Sequence, residues 1–89
     1  MEFQVEPHTL ERAEERGTNL EEIEDVVKTG FSISAKYNRL GKCKIYNFKS
    51  KRNGRYYEEK RVEVYYVIED DKIKTVTVYV FYAKWEELK

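Results

Sequence analysis

The stretch KIKTVTVYVFY, Lys72–Tyr82, is the most strand-like run in the chain. It consists mostly of β-branched and aromatic residues, which favour extended backbone. Because side chains alternate between the two faces of a strand, each face of this run is substantially apolar. One face is predicted to carry Ile73, Thr75, Thr77, Tyr79 and Phe81, and the other Val76, Val78, Val80 and Tyr82. We therefore predict a central strand that is covered on both sides.

The segments before this run predict an antiparallel meander. Three further strands are predicted at Phe31–Tyr37, Lys42–Lys49 and Tyr56–Glu69, the last either continuous or joined at a bulge near Glu58-Glu59. Turns are predicted near Asn38–Gly41, at Asn53-Gly54 and at Asp70-Asp71. The Asn-Gly pair is the strongest short signal for a hairpin.

The first 17 residues predict a short strand and a helix. Phe3 and Val5 alternate with polar residues, which is typical of a strand. A helix over 8–16 follows, because Pro7 suits the first helical position and Gly17 suits the left-handed position after the last turn.

A second helix is predicted to open at Thr18 or Asn19. These residues have capping-box spacing to Glu21 and Glu22 respectively. Gly30 is the predicted stop. The apolar stripe of this helix consists of Leu20, Ile23, Val26 and Val27.

This order of elements predicts an α+β fold, with an N-terminal helical hairpin packed on one face of a curved antiparallel sheet. A chain of 89 residues is long enough for one modest core, so we expect a single domain over 1–89. The other sheet face requires a second cover. A partner chain, a ligand or the C-terminal segment Ala83–Lys89, which contains Trp85, are the candidates.

The charges are unevenly distributed, although the formal net charge is zero. Residues 1–30 carry −6, residues 31–61 carry +8 and residues 62–89 carry −2. A basic block of this size attracts polyanions even on a neutral protein. The same block is also explained by the need to keep a long hairpin soluble. Its candidate polyanion contacts are Lys42, Lys44, Lys49, Lys51, Arg52, Arg55, Lys60 and Arg61.

Composition indicates the compartment in which the protein is expected. Cys43 is the single cysteine, so no disulfide forms within the chain, which is consistent with a reducing compartment. The N-terminus lacks a signal-peptide pattern, and no apolar run approaches the roughly 20 residues of a membrane span. We expect a cytoplasmic protein without membrane contact, cofactor or metal. High Glu, Lys and Tyr with a single Gln hint at a thermophilic source.

The segment 8–17, HTLERAEERG, carries the pattern with the most chemical content. On a helix, the i, i+4, i+8 spacing places His8, Arg12 and Arg16 on one face. His8 is the only histidine, and this side chain has the unperturbed pKa nearest neutrality. A proton carrier beside two guanidinium groups suits chemistry on a phosphodiester. The same pattern also fits a solvated helix whose arginines pair with neighbouring glutamates.

These residues, together with the order of elements, resemble the RelE/ParE toxin superfamily. The resemblance is closest to a branch that begins with His-x3-Arg-x3-Arg-Gly and ends with a Thr-Val-Tyr strand and a Trp. Here these are 8–17, Thr77-Val78-Tyr79 and Trp85. The chain departs from the branch at 80–83, where Pro and Asp are usual. Its hairpin around Lys49–Arg61 is also longer and more basic.

The resemblance implies a toxin-type, metal-independent ribonuclease. RNA, in some members on the ribosome, would be its substrate, and a small antitoxin protein its partner. A second copy of the chain is expected as a further partner on other grounds, because a dimer would bury more surface than so small a chain does alone. His8 would act as base or acid, and Arg12 or Arg16 would hold the phosphate. Thr77 and Tyr79 would add hydroxyl donors, although both also suit simple packing in a strand.

A rival interpretation is a binding or dimerisation module of the same fold without catalysis. The zero net charge favours this rival, and the basic block favours RNA. Salt dependence separates the two, because RNA binding weakens steeply with added salt.

Overall fold

The computed structural model describes residues 1–85 of the chain. Within that range the elements are β1 (Glu2–Gln4), α1 (Pro7–Arg16), α2 (Leu20–Thr29), β2 (Phe31–Ile33), β3 (Leu40–Arg52), β4 (Arg55–Glu69) and β5 (Lys72–Ala83). The strands form one sheet in the order β1-β5-β4-β3-β2. The predicted α+β class is confirmed.

The sheet is mixed, so the expectation of an all-antiparallel sheet is wrong at one strand. Strands β2 to β5 pair antiparallel, as predicted. By contrast, β1 pairs parallel to β5, with Glu2–Gln4 opposite Lys72–Lys74. This is possible because both helices lie between β1 and β2 in the chain and carry it from one sheet edge to the other.

A bulge at Val76 divides β5 into two halves with opposite alternation. Tyr65 pairs with Thr77, whereas the next residue, Tyr66, pairs with Thr75, so Val76 is the extra residue. Ile73 and Thr75 therefore share the helix-covered face with Val78 and Val80, and Thr77, Tyr79 and Phe81 lie on the opposite face. The prediction that Ile73 to Phe81 share one face is wrong, because a bulge reverses the direction of every later side chain.

A second bulge lies in β3. Asn47 pairs with Glu59 and Ser50 with Tyr57, which leaves one extra residue in β3. Lys49 has the left-handed φ of 45° at this point. Of the two alternatives for Tyr56–Glu69, the continuous strand is confirmed, since β4 is one strand from Arg55 to Glu69. The extra residue lies opposite Glu58-Glu59, in β3 and not in β4.

The turn before β3 comes earlier than predicted. β2 ends at Ile33, not Tyr37, because β3 offers it partners only from Cys43 to Gly41. Tyr37 and Asn38 both have a φ of 59°, and the Arg39 N–H donates to the Lys36 carbonyl at 3.2 Å. The turn is therefore centred on 37–38.

The helices begin and end close to the predicted residues. The Asn19 side chain accepts a hydrogen bond from the Glu22 N–H at 2.9 Å, which makes Asn19 the N-cap of α2. Thr18 instead donates its hydroxyl to the Glu22 carboxylate at 2.8 Å. Gly17 has the predicted left-handed backbone, with φ 96°.

The main core lies between the two helices and one face of the sheet. Its buried members are Ala13, Ile23, Val26, Val27, Val62, Val64, Tyr66, Ile73 and Val78. The members from α1, α2 and β4 follow the expected apolar periodicity, whereas Ile73 and Val78 share this face only because of the Val76 bulge. One of the two predicted covers of β5, the helical layer, is therefore confirmed.

The other face, here called the open face, is not covered by either described helix. Tyr79 is 42% exposed and Phe81 is 48% exposed on it. Cys43 is fully buried there, beside Arg61 and Glu63. Burial raises the pKa of the Cys43 thiol. Residues 86–89 of the proposed C-terminal cover lie outside the described residues, and the Trp85 N–H donates to the Glu59 carboxylate at 2.7 Å.

The C-terminal end of α1 is held by side chains from three strands. The carbonyl of Glu15 accepts from Arg52 on β3. The Arg16 carbonyl accepts from the Tyr82 hydroxyl on β5 at 2.6 Å, and the Gly17 carbonyl from the Lys60 ammonium on β4 at 2.8 Å. These are carbonyls that a helix end leaves without intrahelical partners. The contacts fix the position of α1 on the sheet. We call them the helix-end clamp.

Replacing Gly17 with Ala is expected to destabilise the fold by about 2–4 kcal/mol. An added Cβ would lie 2.1 Å from the Tyr82 hydroxyl and would also occupy a left-handed backbone. Gly54→Ala is the matched control, because Gly54 has φ 80° and open space around it, and it should cost about 1 kcal/mol. Urea unfolding measures both. Equal losses for the two variants would contradict the close approach at Gly17.

Candidate functional site

A groove of about 250 Å³ lies between α1 and the edge of β5. It is lined by His8, Thr9 and Arg12 from the helix and by Val76–Val78 from the strand. His8 and Arg12 are exposed, and neither makes a hydrogen bond or ion pair within residues 1–85. We call this cavity the edge groove. It brings together three of the predicted site residues, His8, Arg12 and Thr77.

The edge groove exists because β1 is short. β1 pairs with β5 only as far as Lys74, so β5 is an edge strand from the Val76 bulge onward. Natural sheets protect such edges from pairing with other chains by bulges and by covering elements. Here α1 lies along the edge, and the bulge is part of the groove wall.

Arg16 is bound differently from His8 and Arg12. Its guanidinium donates to the Val78 carbonyl at 2.5 Å and stands 5.2 Å from the centroid of the Tyr79 ring. The side chain therefore crosses the β5 edge and connects the helix layer to the open face. Sequence reasoning grouped Arg16 with Arg12 as a phosphate ligand, but the structure gives it an anchoring contact. Tyr79 does not line the edge groove and is linked to it by this contact.

Lys60 lies in the helix–sheet interface rather than on a binding surface. Its side chain is 11% exposed, and its ammonium donates to Glu22 at 2.8 Å as well as to Gly17. Breaking a pair this buried leaves an uncompensated charge. Lys60 was predicted to contact RNA, and in this structure it is not accessible for that role.

Lys44 belongs to a polar cluster on α2. Its ammonium donates to the Asp25 carboxylate at 2.7 Å, and the Tyr46 hydroxyl donates to the same carboxylate at 2.6 Å. The Thr29 hydroxyl adds a bond of 3.0 Å. The hydrogen bond from Lys44, followed by those from Tyr46 and Thr29, lowers the pKa of Asp25 to about 2. Burial is the main cause that raises the pKa of Tyr46, and its bond to Asp25 adds to it.

Two more of the predicted RNA contacts are engaged inside the molecule. Arg52 belongs to the helix-end clamp and stands 5.0 Å from the Tyr82 ring. Arg61 donates to the Glu63 carboxylate on the open face at 3.0 Å. The same carboxylate accepts from the Tyr65 hydroxyl at 2.9 Å. Burial, together with this hydrogen bond, raises the pKa of Tyr65 to about 12.

The remaining predicted RNA contacts lie at the far end of the β3–β4 hairpin, apart from Lys42, which is half-buried. Lys49, Lys51 and Arg55 are exposed there, and Arg55 stands 5.7 Å from the Tyr57 ring. We call 49–55 the hairpin end. Of the predicted basic contacts, these three are the ones that are exposed and make no hydrogen bond or ion pair within residues 1–85.

A second cavity, of about 320 Å³, was missed by sequence reasoning. It lies on the open face and is lined by Tyr37, Arg39, Tyr65, Thr77 and Tyr79, with the segment 34–36. We call it the tyrosine cavity. Its residues come from three separate parts of the chain, so only the strand register reveals it. The sequence offered one signal for this cavity, which was Tyr37, an aromatic residue directly before the predicted turn that starts near Asn38.

Replacing Asp25 with Asn is expected to remove part of the acid sensitivity of the fold. Because the folded pKa of Asp25 lies near 2, below the ordinary value of 3.8, its ionised form stabilises the fold above about pH 4. That stabilisation is lost as the pH falls from about 4 to 2. Urea unfolding across this range should show a shallower pH dependence for Asp25→Asn than for wild type. Asp70→Asn, in an exposed turn, is the control. Identical slopes for wild type and Asp25→Asn would contradict the cluster.

The described residues contain no helix long and apolar enough to span a membrane. Among the same residues, no group of three or more His, Cys, Asp or Glu side chains is placed to hold a metal ion.

Comparison with known proteins identifies one family. No curated protein and no solved structure is significantly similar to the chain. The family described as Domain of unknown function (DUF4258) matches residues 5–80, which include α1, the edge groove and most of β5. The chain belongs to this DUF4258 family.

Proposed function

We propose that the protein is a toxin-type RNA-cleaving protein with a RelE/ParE-like arrangement, in which the two helices form an N-terminal hairpin on the sheet. The observation that carries this proposal is the edge groove. It holds the only histidine, an arginine and a threonine at one place, and the histidine and arginine have no polar partner in the described chain. A proton carrier beside a free guanidinium is what metal-independent phosphodiester cleavage requires.

The proposed reaction is an attack by the 2′-hydroxyl of RNA on the adjacent phosphorus. The His8 imidazole accepts the 2′-hydroxyl proton, the bond from O2′ to phosphorus forms, and the bond from phosphorus to O5′ breaks. The leaving oxygen takes a proton from solvent, and His8 later returns its own proton to solvent. The products are a 2′,3′-cyclic phosphate and a free 5′-hydroxyl, and no water is consumed.

Arg12 is the proposed phosphate ligand. Its guanidinium offers a planar pair of N–H donors that matches two phosphate oxygens. Its position one helical turn after His8 places both groups over the same groove wall. Thr77 also lines the groove, and because its side chain lies on the open face, its proposed hydroxyl donor stands at the border between the two faces. Arg16 and Tyr79 act as positioning residues, because their contact holds α1 against β5.

The hairpin end supplies a separate, purely electrostatic contact to RNA. Lys49, Lys51 and Arg55 are exposed cations on one short segment. Such residues bind the phosphate backbone without reading sequence. In this proposal RNA, on the ribosome or free in the cytoplasm, is the substrate. A small antitoxin protein and a second copy of the chain are the proposed protein partners.

His8→Ala and Arg12→Ala are expected to abolish most RNA cleavage. Loss of a general base typically lowers the rate by about 100- to 10,000-fold. Loss of one donor to the developing charge lowers it by about 100- to 1,000-fold. Cleavage of a labelled single-stranded RNA, and bacterial growth after induced expression, measure the effect. Wild type should arrest growth and degrade RNA.

Lys28→Ala is the matched control, because it removes an exposed cation from α2 instead of α1. It should leave cleavage and growth arrest unchanged. Circular dichroism must show that every variant is folded. Normal growth and intact RNA with wild type would contradict the proposal. So would folded His8→Ala and Arg12→Ala variants that cleave as wild type does.

Replacing Lys49, Lys51 and Arg55 together by Ser is expected to weaken RNA binding and its salt dependence. Each phosphate contact on a single strand contributes about −0.7 to the slope of log K against log salt. The triple variant should therefore lose up to about 2 from this slope. Fluorescence anisotropy of a labelled single-stranded RNA at several salt concentrations measures it. An unchanged slope would show that RNA does not bind at the hairpin end.

A second candidate function is a non-catalytic binding or dimerisation module. The exposed Tyr79 and Phe81 side chains on the open face favour it, because contiguous exposed aromatic surface often marks an interface. This candidate predicts a concentration-dependent dimer in sedimentation experiments, RNA that stays intact, and little response to salt.

A further inference from the structure

Thr77 borders two cavities on different sides of the β5 edge. It lines the edge groove beside His8 and Arg12, and it also lines the tyrosine cavity beside Tyr65 and Tyr79. The Val76 bulge produces this arrangement, because it turns Thr77 onto the open face at the position where α1 covers the strand edge. A molecule that occupies both cavities therefore passes over a single residue of β5.

The floor of the tyrosine cavity is aromatic, and both of its rings are held by contacts with neighbouring side chains. The Tyr65 and Tyr79 rings meet edge-on with their centroids 6.0 Å apart. The Tyr65 hydroxyl is held by Glu63 at 2.9 Å, and the Arg16 guanidinium stands over the other ring at 5.2 Å. Both rings are therefore positioned before any ligand arrives. The cavity volume, about 320 Å³, lies within the range of small-molecule sites.

Tyr37 forms the outer wall of this cavity and has no role in the core. Its side chain is 82% exposed, although its backbone has the left-handed φ of 59° that disfavours bulky residues. Asn or Gly would suit this turn position better. Arg39 stands 5.6 Å from the Tyr37 ring, so an aromatic ring and a guanidinium plane face the same space. Strained backbone that packing does not require is a signal of function.

We propose that the tyrosine cavity binds the base of an unpaired nucleotide whose phosphate lies in the edge groove. The inference rests on the proposed function, since that function supplies the phosphate. Unstacked bases are held by aromatic rings and arginine planes. The cavity offers three tyrosines and Arg39, whereas the edge groove offers an arginine and a histidine for the phosphate. A paired base would remain stacked in its duplex, so the substrate is single-stranded.

The first test compares cytidine and adenosine 5′-monophosphate with ribose 5-phosphate, which has the phosphate but no base. Each is titrated into the ¹⁵N-labelled protein and followed by amide chemical shifts. The nucleotides should shift signals at Tyr37–Arg39 and at His8–Arg12, and ribose 5-phosphate only those at His8–Arg12. Nucleotides that shift only the α1 signals would overturn the base site but leave the proposed function standing. Probes that shift neither set would overturn both.

The second test removes the Tyr37 ring without straining the turn. Tyr37→Asn keeps a residue that tolerates left-handed backbone, so stability to urea should equal or exceed that of wild type. Affinity for a single-stranded RNA should fall by roughly 5- to 150-fold, because the stacking contact is lost. Tyr37→Phe keeps the ring and should bind as wild type does.

Two outcomes would overturn this inference while leaving the edge groove intact. One is wild-type RNA affinity in Tyr37→Asn together with cleavage that still requires His8. The other is a stable dimer in sedimentation experiments that Tyr37→Asn dissociates, since the cavity would then be filled by a second copy of the chain.

Discussion

The rest of the structure depends on the helix-end clamp at α1. Arg52, Tyr82 and Lys60 reach from three strands to three successive carbonyls of Glu15–Gly17. A helix of ten residues has little stability of its own, so its position is set by such tertiary contacts. Because the clamp and Arg16 hold the C-terminal half, the N-terminal half extends along β5 with His8 and Arg12 free. Polar contacts therefore anchor the C-terminal end of α1, whereas its N-terminal end leaves His8 and Arg12 unbound in the edge groove.

The edge of β5 is the second determinant of the site. β1 pairs with only its first three residues, and the Val76 bulge follows two residues later. The bulge places Val78 against the helices and Thr77 on the open face. Arg16 then crosses the edge and contacts both sides. The edge groove beside α1 and the tyrosine cavity on the open face become neighbours for this reason.

The sequence predicted the elements well and the faces of the long strands poorly. The limits of the helices follow from Pro7, Gly17 and Asn19, whose local chemistry acts over a few residues. The bulge at Val76 was not predicted, and the one in β3 was considered only as an alternative in β4, since bulges depend on how two strands match and β-branched runs look alike in any register. The parallel pairing of β1 also depends on the path of the chain across the sheet.

The candidate site shows the same difference between features set within one element and features set by contacts between elements. The sequence correctly predicted that His8 and Arg12 lie together, because a helical period brings them to one face within one element. Lys44, Arg52, Lys60 and Arg61 carry the same charge in the sequence as the exposed residues of the hairpin end, yet all four are engaged in contacts inside the molecule. Their partners lie far away in the chain or depend on strand geometry.

The most direct test of the account is cleavage of one single-stranded RNA and of its fully 2′-O-methylated copy in EDTA. We predict cleavage of the first alone, with 2′,3′-cyclic phosphate ends, and cleavage of neither or of both would contradict it.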